Sequence, residues 1–452
     1  MPSKLESVLR KARGRALSIA LGVLCVAPAS AWAQIDYSTV EFGTETFPCP
    51  PSLRARTEFW LRIFTQYTRN DKVIHDASYP WVIYEVYDVT GLSPRAASDR
   101  VDQRLEYYGH LLDRLAQKSP DTYTPAEQSV ARLLADVPEG ARYTRASDRL
   151  RVQTGVAVST RAGMQRAGRY LPHIQEVLRR YELPEEIAYL PCVESSYNPD
   201  AYSKVGAAGL WQFTRDTGRK YMRVEADLDE RRDPYRATEA AAQYLGNSYL
   251  QLGSWPLSVV SYNHGLNGVL RARNQLGTND IARILHEYDG PSFGFASQNF
   301  YCEFLAAIEI GRNPERYFPD LQVDEPHAFV EYALPEYVKL GPLTEAFRIP
   351  RDQIALLNPA LGESFLNDSR ALPRGYLVRL PAHVEAPDAL YAMIPNHERF
   401  EFEPAPPGYR VVPGDTLSRI AKAHRVSLGQ LCEVNGIGPK DRIFPGQVLL
   451  IP

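Results

Sequence analysis

The sequence predicts a mainly α protein with a mixed α/β region at its N-terminus and a small strand–helix–helix–strand module at its C-terminus. Three observations support this fold class. Apolar residues recur at helical spacing through residues 155–318. Residues 72–89 are rich in β-branched and aromatic residues, as strands are. Residues 408–452 begin and end with short apolar stretches around two helical ones. A length of 452 residues suits two to four such domains.

The first 33 residues have the three-part pattern of a secretory signal peptide. A basic start is followed by a small, apolar run over Ala16–Ala27 and by a cleavage site at Ala31-Trp32-Ala33. The apolar run is short for a membrane span. An uncleaved membrane anchor and a lipoprotein attached at Cys25 are the alternatives. The pattern predicts export, and no transmembrane segment is expected in the mature chain.

The charge of the chain limits its partners. The formal net charge is −3, and the predicted signal peptide carries more basic than acidic residues, so the remainder is more acidic still. Nucleic-acid binding requires a basic footprint, and we therefore expect no nucleic-acid partner. Bulk charge does not attract an acidic chain to an anionic surface, so binding there would rest on specific contacts.

Residues 34–150 form the N-terminal region. Its patterns predict a helix over Thr57–Tyr67, a strand pair that turns near Ser78-Tyr79-Pro80, and helices over Val101–Gln117 and Pro125–Leu134. We find no chemical motif in it. A packing or positioning domain is favoured over a second active site.

Four segments follow the N-terminal region. We expect a helical domain over residues 151–320, a region of short elements over residues 325–383, a proline-rich and semi-extended linker over residues 384–407, and a compact module over residues 408–452.

One glutamate of the helical domain has the setting of a general acid. Pro184 is predicted to open a helix on which Ile187, Leu190 and Glu194 share one face, with a kink at Pro191. A carboxylate on an apolar face is costly to bury ionised, so its pKa is expected to rise. Glycosidic cleavage needs such an acid. The alternative is a helix-end residue that reaches solvent.

Four sequence segments extend this interpretation. They are LPEEIAYLPCVESSYNP at 183–199, SKVGAAGLWQF at 203–213, SYNHG at 261–265 and NFY at 299–301. In this order they resemble the motifs of glycoside hydrolase family 23 lytic transglycosylases, most of all the membrane-bound lytic murein transglycosylase D type. The resemblance implies a lysozyme-like helical catalytic domain that acts on the glycan strands of peptidoglycan.

The resemblance also implies roles for individual residues. Glu194 would protonate the glycosidic oxygen and then act as the base. Gly206 and Gly209 would let the backbone approach the sugar. Ser261 departs from the usual alanine of the third motif, and His264 is interpreted as a loop residue. The implied substrate-binding residues are Ser195, Ser203, Gly209, Gln212, Tyr262, Asn263 and Tyr301.

No second catalytic carboxylate is predicted, because Glu185 and Glu186 suit a first helical turn and Asp233 suits an N-cap. Hydrolases of this broad type usually use two carboxylates. The resemblance implies instead that the muramic acid C6 hydroxyl attacks C1 and forms a 1,6-anhydro sugar, without a metal or cofactor. If the motifs meet at the cleft, Cys192 and Cys302 are candidates for a disulfide, with two buried thiols as the alternative.

The C-terminal module begins with GYRVVPGDTL at 408–417 and ends with IFPGQVLLIP at 443–452. It resembles the LysM domain, a small βααβ module that binds glycans containing N-acetylglucosamine; a LysM fold without sugar affinity is the alternative. Residues 325–383 resemble a degenerate LysM-like stretch that lacks the Gly-Asp-Thr opening. The expected glycan-binding residues are Gly414, Asp415, Thr416, Leu417, Asn435 and Ile437.

Together these patterns predict a peptidoglycan lytic transglycosylase that cleaves the MurNAc-β-1,4-GlcNAc bond. The expected location is the periplasm, with association with the cell wall or the outer membrane left open. A goose-type lysozyme, which hydrolyses the same bond, and a non-catalytic peptidoglycan-binding protein are the alternatives.

Overall fold

The computed structural model describes residues 35–138, 140, 142–404 and 408–452. The predicted signal peptide and Cys25 lie outside these residues. The structure confirms the predicted fold class: helices dominate, and the sheets are small. No helix of the described ranges has both the length and the hydropathy that a membrane span requires.

The N-terminal region combines helices with a three-stranded antiparallel sheet in the order β2-β1-β3. The strand pair turns between residues 76 and 83, where the sequence predicts it. The third strand pairs with β1, and it begins at residue 150, so the sheet crosses the expected domain boundary. The elements are α1 (Pro51–Thr65), β1 (Asp71–Asp76), β2 (Ile83–Asp88), α2 (Pro94–Leu115), α3 (Pro125–Leu133) and β3 (Leu150–Thr154).

The helical domain is built around two long helices, α8 and α12, with α9 packed against both. Asp233 accepts hydrogen bonds from the amides of Tyr235 and Arg236, so it is the N-cap of α8 that the sequence predicts. The helices are α4 (Ala157–Ala167), α5 (Leu171–Arg180), α6 (Leu190–Ser195), α7 (Arg215–Gly218), α8 (Pro234–Leu252), α9 (Trp255–His264), α10 (Leu266–Leu276), α11 (Ile281–Glu287), α12 (Phe295–Arg312) and α13 (Pro314–Tyr317).

The N-terminal region packs directly on the helical domain, because α1 lies against α12. Arg56 and Trp60 of α1 are buried and donate hydrogen bonds to the Asn299 Oδ1 atom at 3.1 Å and 2.9 Å. Buried polar groups need such partners. This contact agrees with the positioning role that the sequence favours.

The region after residue 325 contains helices between two paired strands, as predicted from its resemblance to LysM, together with extra short elements; we call residues 329–400 the LysM-like module. The strands β4 and β6 pair antiparallel. The elements are β4 (Phe329–Ala333), β5 (Tyr337–Val338), α14 (Leu340–Phe347), α15 (Arg351–Leu357), α16 (Glu363–Leu366), β6 (Leu377–Pro381), α17 (Pro387–Ala392) and β7 (Arg399–Phe400).

The expected linker over residues 384–407 is folded over much of its length, so that prediction is wrong there. The helix α17 and the strand β7 both lie within it, and β7 pairs with β5. Tyr391 and Ile394 are buried in the core of the LysM-like module. The proline content suggested an extended segment, but these two apolar side chains gain more from burial than from exposure.

The C-terminal module has the predicted βααβ order. Its strands pair antiparallel around a small core that includes Leu417, Leu431 and Leu449. The elements are β8 (Gly408–Arg410), α18 (Leu417–Ala423), α19 (Leu428–Val434) and β9 (Val448–Leu450).

All four cysteines of the described residues are free thiols. Cys302 lies beside Thr57 and Cys49 and not against Cys192, so the candidate disulfide between Cys192 and Cys302 is absent. We therefore expect the denatured, unreduced protein, cleaved after the signal peptide, to show four reactive thiols in a thiol-counting assay. A count of two would contradict this arrangement.

Candidate active site

Glu194 lies near the end of a short helix that begins anew at Leu190. A 3-10 turn over Glu185–Tyr189 precedes α6. Pro191 stands in the first turn of α6, where its missing amide hydrogen is not needed. The predicted single helix with a kink at Pro191 is therefore wrong in detail: proline starts the second helix and does not bend the first.

The backbone after Glu194 is strained. Ser196 and Tyr197 both have positive φ, 50° and 51°, a conformation that costs energy for residues with a side chain. Three contacts fix it. Arg166 donates to the Ser196 carbonyl at 2.7 Å, the buried Tyr197 hydroxyl donates to the Ala188 carbonyl at 2.7 Å, and a Cβ on Gly163 would lie 2.8 Å from the Ser196 carbonyl oxygen. The position of Glu194 is thus tightly determined.

The first and third motifs meet on the backbone of the second. Ser195 Oγ donates to the Leu210 carbonyl at 2.7 Å. Tyr262 Oη donates to the neighbouring Trp211 carbonyl at 2.8 Å. Trp211 is fully buried, and its Nε1 atom donates to Thr238 Oγ1 at 2.9 Å. The structure therefore brings Glu194, Ser195 and Tyr262 together, as the motifs predict.

The carboxyl of Glu194 has the property that its predicted role requires. Its side chain is partly exposed, yet the surrounding protein removes most of its hydration. Burial raises the pKa of this carboxyl to about 8, and the nearby carboxyl of Glu303 adds to the rise. Glu194 is therefore protonated at neutral pH and can donate a proton.

Two of the predicted substrate-binding residues make hydrogen bonds that stabilise the second motif. Ser203 Oγ accepts from the Ala207 amide at 2.9 Å. Gln212, with a positive φ of 50°, donates to the carbonyls of Ala201 and Gly209 at 3.1 Å and 2.8 Å. Both side chains remain partly exposed, and the carbonyl oxygen of the Gln212 amide remains available to a ligand.

Gly209 has a different role from the predicted one. It is buried, has a positive φ of 80°, and a Cβ there would lie 1.7 Å from the Arg231 carbonyl oxygen. Glycine is needed because the chain's own backbone approaches, not because a sugar does. Gly206 also has a positive φ, 83°, but the space around its Cβ position is open.

The remaining two motif residues differ in exposure. Asn263 is exposed at the end of α9, where Ser297 Oγ donates to its Oδ1 atom at 3.1 Å. Tyr301 is fully buried, and its hydroxyl donates to the Pro48 carbonyl at 2.8 Å. Asn263 is thus accessible to a ligand, whereas the Tyr301 side chain joins α12 to the N-terminal region.

Glu303 is a second carboxyl near Glu194, and the sequence motifs do not identify it. Burial raises its pKa to about 8 as well. A signal for it exists: Glu303 is a single acidic residue within the apolar stretch FYCEFLAAI of α12, directly after the fourth motif.

Most of the predicted glycan-binding side chains of the C-terminal module stabilise its fold. Asp415 Oδ2 accepts from Tyr409 Oη and from the Val412 amide at 2.8 Å and 2.9 Å. Thr416 is the N-cap of α18, and Leu417 is buried. Gly414 is exposed and Ile437 is partly exposed. The backbone of these two loops is therefore the part of the predicted site that remains accessible to a ligand.

Asn435 is also structural, and the LysM-like module repeats its arrangement. Its side chain bonds three backbone atoms: Nδ2 donates to the Leu431 and Leu450 carbonyls at 2.7 Å and 2.8 Å, and Oδ1 accepts from the Leu450 amide at 2.8 Å. Asn358 makes the same three bonds, to the Ile354 carbonyl at 2.8 Å, the Arg379 carbonyl at 2.9 Å and the Arg379 amide at 2.9 Å.

The LysM-like module contacts the helical domain through the loop that begins at Asn358. The Asp229 amide donates to the Ala360 carbonyl at 3.0 Å, and the Gly362 amide donates to the Asp227 carbonyl at 2.6 Å. Ala360 stands at the place of Ile437 in the C-terminal module. The loop that corresponds to the one around Ile437, where the sequence analysis predicts glycan contacts, is therefore covered by residues 227–229.

Comparison with known proteins agrees with this architecture. Residues 173–285 match the model of the transglycosylase SLT domain, and residues 409–452 match that of the LysM domain. The chain therefore contains a transglycosylase SLT domain, which includes Glu194, Gln212 and Asn263, followed by a C-terminal LysM domain. Tyr301 and Glu303 lie outside the matched ranges.

Among individual proteins, the chain is similar to membrane-bound lytic murein transglycosylase D of Escherichia coli (strain K12). The two are 27% identical over 296 residues, which cover 63% of this chain and 64% of that protein. The chain thus spans slightly less than two thirds of this relative's length. A putative tributyltin chloride resistance protein of Alteromonas sp. is 36% identical over 110 residues, 24% of this chain and 53% of that protein. Membrane-bound lytic murein transglycosylase C of Haemophilus ducreyi is 30% identical over 146 residues, 26% of this chain and 40% of that protein.

Proposed function

We propose that this protein is a peptidoglycan lytic transglycosylase that cleaves the MurNAc-β-1,4-GlcNAc bond and leaves 1,6-anhydro-MurNAc ends. The observation that carries the proposal is Glu194, a partly exposed carboxyl within the SLT domain whose pKa lies at about 8. The named activity of the relatives supports the same reaction.

In the proposed reaction Glu194 acts twice. Its proton passes to the glycosidic oxygen as the bond from that oxygen to C1 breaks. The C6 hydroxyl of the same muramic acid then attacks C1, and its proton returns to the Glu194 carboxylate. The products are a free 4-hydroxyl on one fragment and a 1,6-anhydro ring on the other, so no water is consumed.

The second carboxyl, Glu303, does not favour the hydrolytic alternative. A hydrolase of this type uses an ionised carboxylate to activate water or to attack the sugar. Because the pKa of Glu303 is raised to about 8, this group is mainly protonated at neutral pH and is a poor base there. The goose-type lysozyme reaction is therefore less well supported than the internal attack.

We further propose that the protein works in the periplasm. The N-terminal pattern supports export, and the LysM domain supports attachment to glycan strands through its exposed loops. The non-catalytic binding alternative is less well supported, because a pure binding protein has no need of a carboxyl with so high a pKa.

Mass spectrometry of the fragments released from purified peptidoglycan sacculi tests the proposed reaction. We expect products lighter by one water than those of a lysozyme, because the internal attack replaces hydrolysis. Products with full-mass reducing ends would show a lysozyme. Retained binding to sacculi without any product would show a binding protein.

A further inference from the structure

The helix α12 places Glu303 on the side that meets the element carrying Glu194. Glu303, Ala307 and Gly311 follow one another at four-residue intervals and so share one face of the helix. At Gly311 this face touches the 3-10 turn before α6, since a Cβ there would lie 2.2 Å from the Tyr189 ring. The helix α6 begins directly after Tyr189 and also packs on α12.

Only one residue in the central part of α12 is accessible to solvent. From Asn299 to Ile310 every residue is buried except Glu303, which keeps part of its surface exposed. Glu194 is likewise partly exposed within α6. An acidic side chain in so apolar a stretch is costly to bury. Glu309, the other acid of this stretch, accepts a hydrogen bond from Tyr317 at 2.7 Å, whereas Glu303 has no hydrogen-bond partner among the described residues.

We propose that Glu303 is a positioning residue of the active site: a second carboxyl near Glu194 whose charge, once Glu303 ionises above neutral pH, keeps the general acid in its protonated form. The proposal rests on the proposed function of Glu194 and adds a residue that the four motifs do not contain.

The electrostatics of the two groups support this role. Burial is the main cause that raises each pKa to about 8, and the charge of Glu303 is the second cause at Glu194. Two neighbouring carboxyls resist simultaneous ionisation, and they titrate as a coupled pair. When Glu303 loses its proton first, Glu194 retains its own to a higher pH.

The other titratable groups around α12 do not neutralise this pair. Burial raises the pKa of both Cys192 and Cys302 to about 12 and that of Tyr262 well above its ordinary value, so these groups are uncharged near neutral pH. The other titratable groups on the packed elements are Arg54, Arg56, Glu58 and Arg62 on α1, Glu185, Glu186 and Tyr189 on the 3-10 turn, His264 on α9, Arg283, His286 and Glu287 on α11, and Glu315, Arg316 and Tyr317 on α13. None of them is a cause of the raised pKa of Glu194 or of Glu303.

Glu303→Gln tests the proposal through the pH dependence of cleavage of purified peptidoglycan. Glutamine has nearly the same shape and removes the charge, so we expect the alkaline limb of kcat/KM to move to lower pH by on the order of one unit. Glu303→Asp retains a carboxyl and should leave the limb close to that of the wild type. Glu309→Gln is the matched control on the same helix, because the Glu309 carboxyl accepts from Tyr317 at 2.7 Å and not from the site; its limb should be unchanged.

An alkaline limb that is the same in Glu303→Gln and the wild type would overturn the proposal. A direct titration of the Glu194 carboxyl by carbon-13 NMR gives a second readout that needs no turnover. We expect a lower pKa of Glu194 in Glu303→Gln, and an unchanged pKa would reject the role of Glu303. A wild-type protein that releases no product would instead reject the proposed function, while the titration would still decide the role of Glu303.

Discussion

Glu194→Gln is expected to remove glycan cleavage almost completely, with a loss in kcat of about 10²–10⁴-fold. The substitution preserves the shape of the side chain but leaves it without a proton to give. Binding to sacculi should remain, because the hydrogen bond from Ser195 to the Leu210 carbonyl, which helps to hold the site together, does not involve the Glu194 carboxyl. The rate of fragment release from purified sacculi measures the effect.

The same variant should gain stability at alkaline pH. The pKa of Glu194 rises from its ordinary value of 4.5 to about 8 in the folded protein. Between these values the folded state retains a proton that the unfolded chain releases, so wild-type stability falls as the pH rises through this window. Glutamine removes that loss, and the Tm of Glu194→Gln should exceed the wild-type Tm at pH 8, with the difference absent at pH 4.

Glu185→Gln is a suitable control for both measurements. Its side chain is 59% exposed and lies in the 3-10 turn before α6. We expect wild-type activity and a wild-type dependence of Tm on pH. Cleavage by Glu194→Gln at the wild-type rate would refute the assignment of the general acid, and a lower Tm at pH 8 would refute the stated origin of its pKa.

Arg379→Met is expected to destabilise the protein by about 3–5 kcal/mol, because it leaves a buried carboxylate unpaired. Arg379 Nη1 donates to Asp233 Oδ2 at 2.6 Å, and both side chains are almost fully buried between β6 and the start of α8. The guanidinium also lies 4.4 Å from the centre of the Tyr235 ring. Chemical denaturation of the two proteins measures the difference in free energy of unfolding.

Two further variants separate the ion pair from its surroundings. Arg351 and Asp368 form a more exposed pair in the same module, and Arg351→Met should cost about 1 kcal/mol or less. Arg379→Met combined with Asp233→Asn should recover part of the stability, because asparagine still caps α8 but carries no charge. An equal cost for Arg379→Met and Arg351→Met would contradict the importance of burial.

The sequence predicts the elements of this fold more accurately than the way they join. Strong periodicity reveals α1, α2 and α3, and the turn residues near residue 79 reveal the pair β1 and β2. The pairing of β3 with β1 and the docking of α1 on α12 depend on contacts distant in sequence, such as the one from Arg56 to Asn299. No local pattern records such contacts.

The candidate site shows the same division. The motifs identify Glu194, and the apolar positions before it predict its raised pKa. They do not reveal whether a residue contacts a ligand or the chain's own backbone. Gly209 and Asn435 are therefore predicted to contact sugars, although their contacts are internal. Glu303 was missed because its partner lies more than a hundred residues away in the sequence.

The matching asparagines, Asn358 and Asn435, also affect how related chains should be compared. The loop that follows Asn358 is covered by the helical domain, yet Asn358 makes all three backbone bonds that Asn435 makes. An asparagine that recurs at this position in an alignment therefore marks the architecture of the module. It is no guide to whether a given copy still recognises a glycan, and the exposure of the loop that follows it is the better criterion.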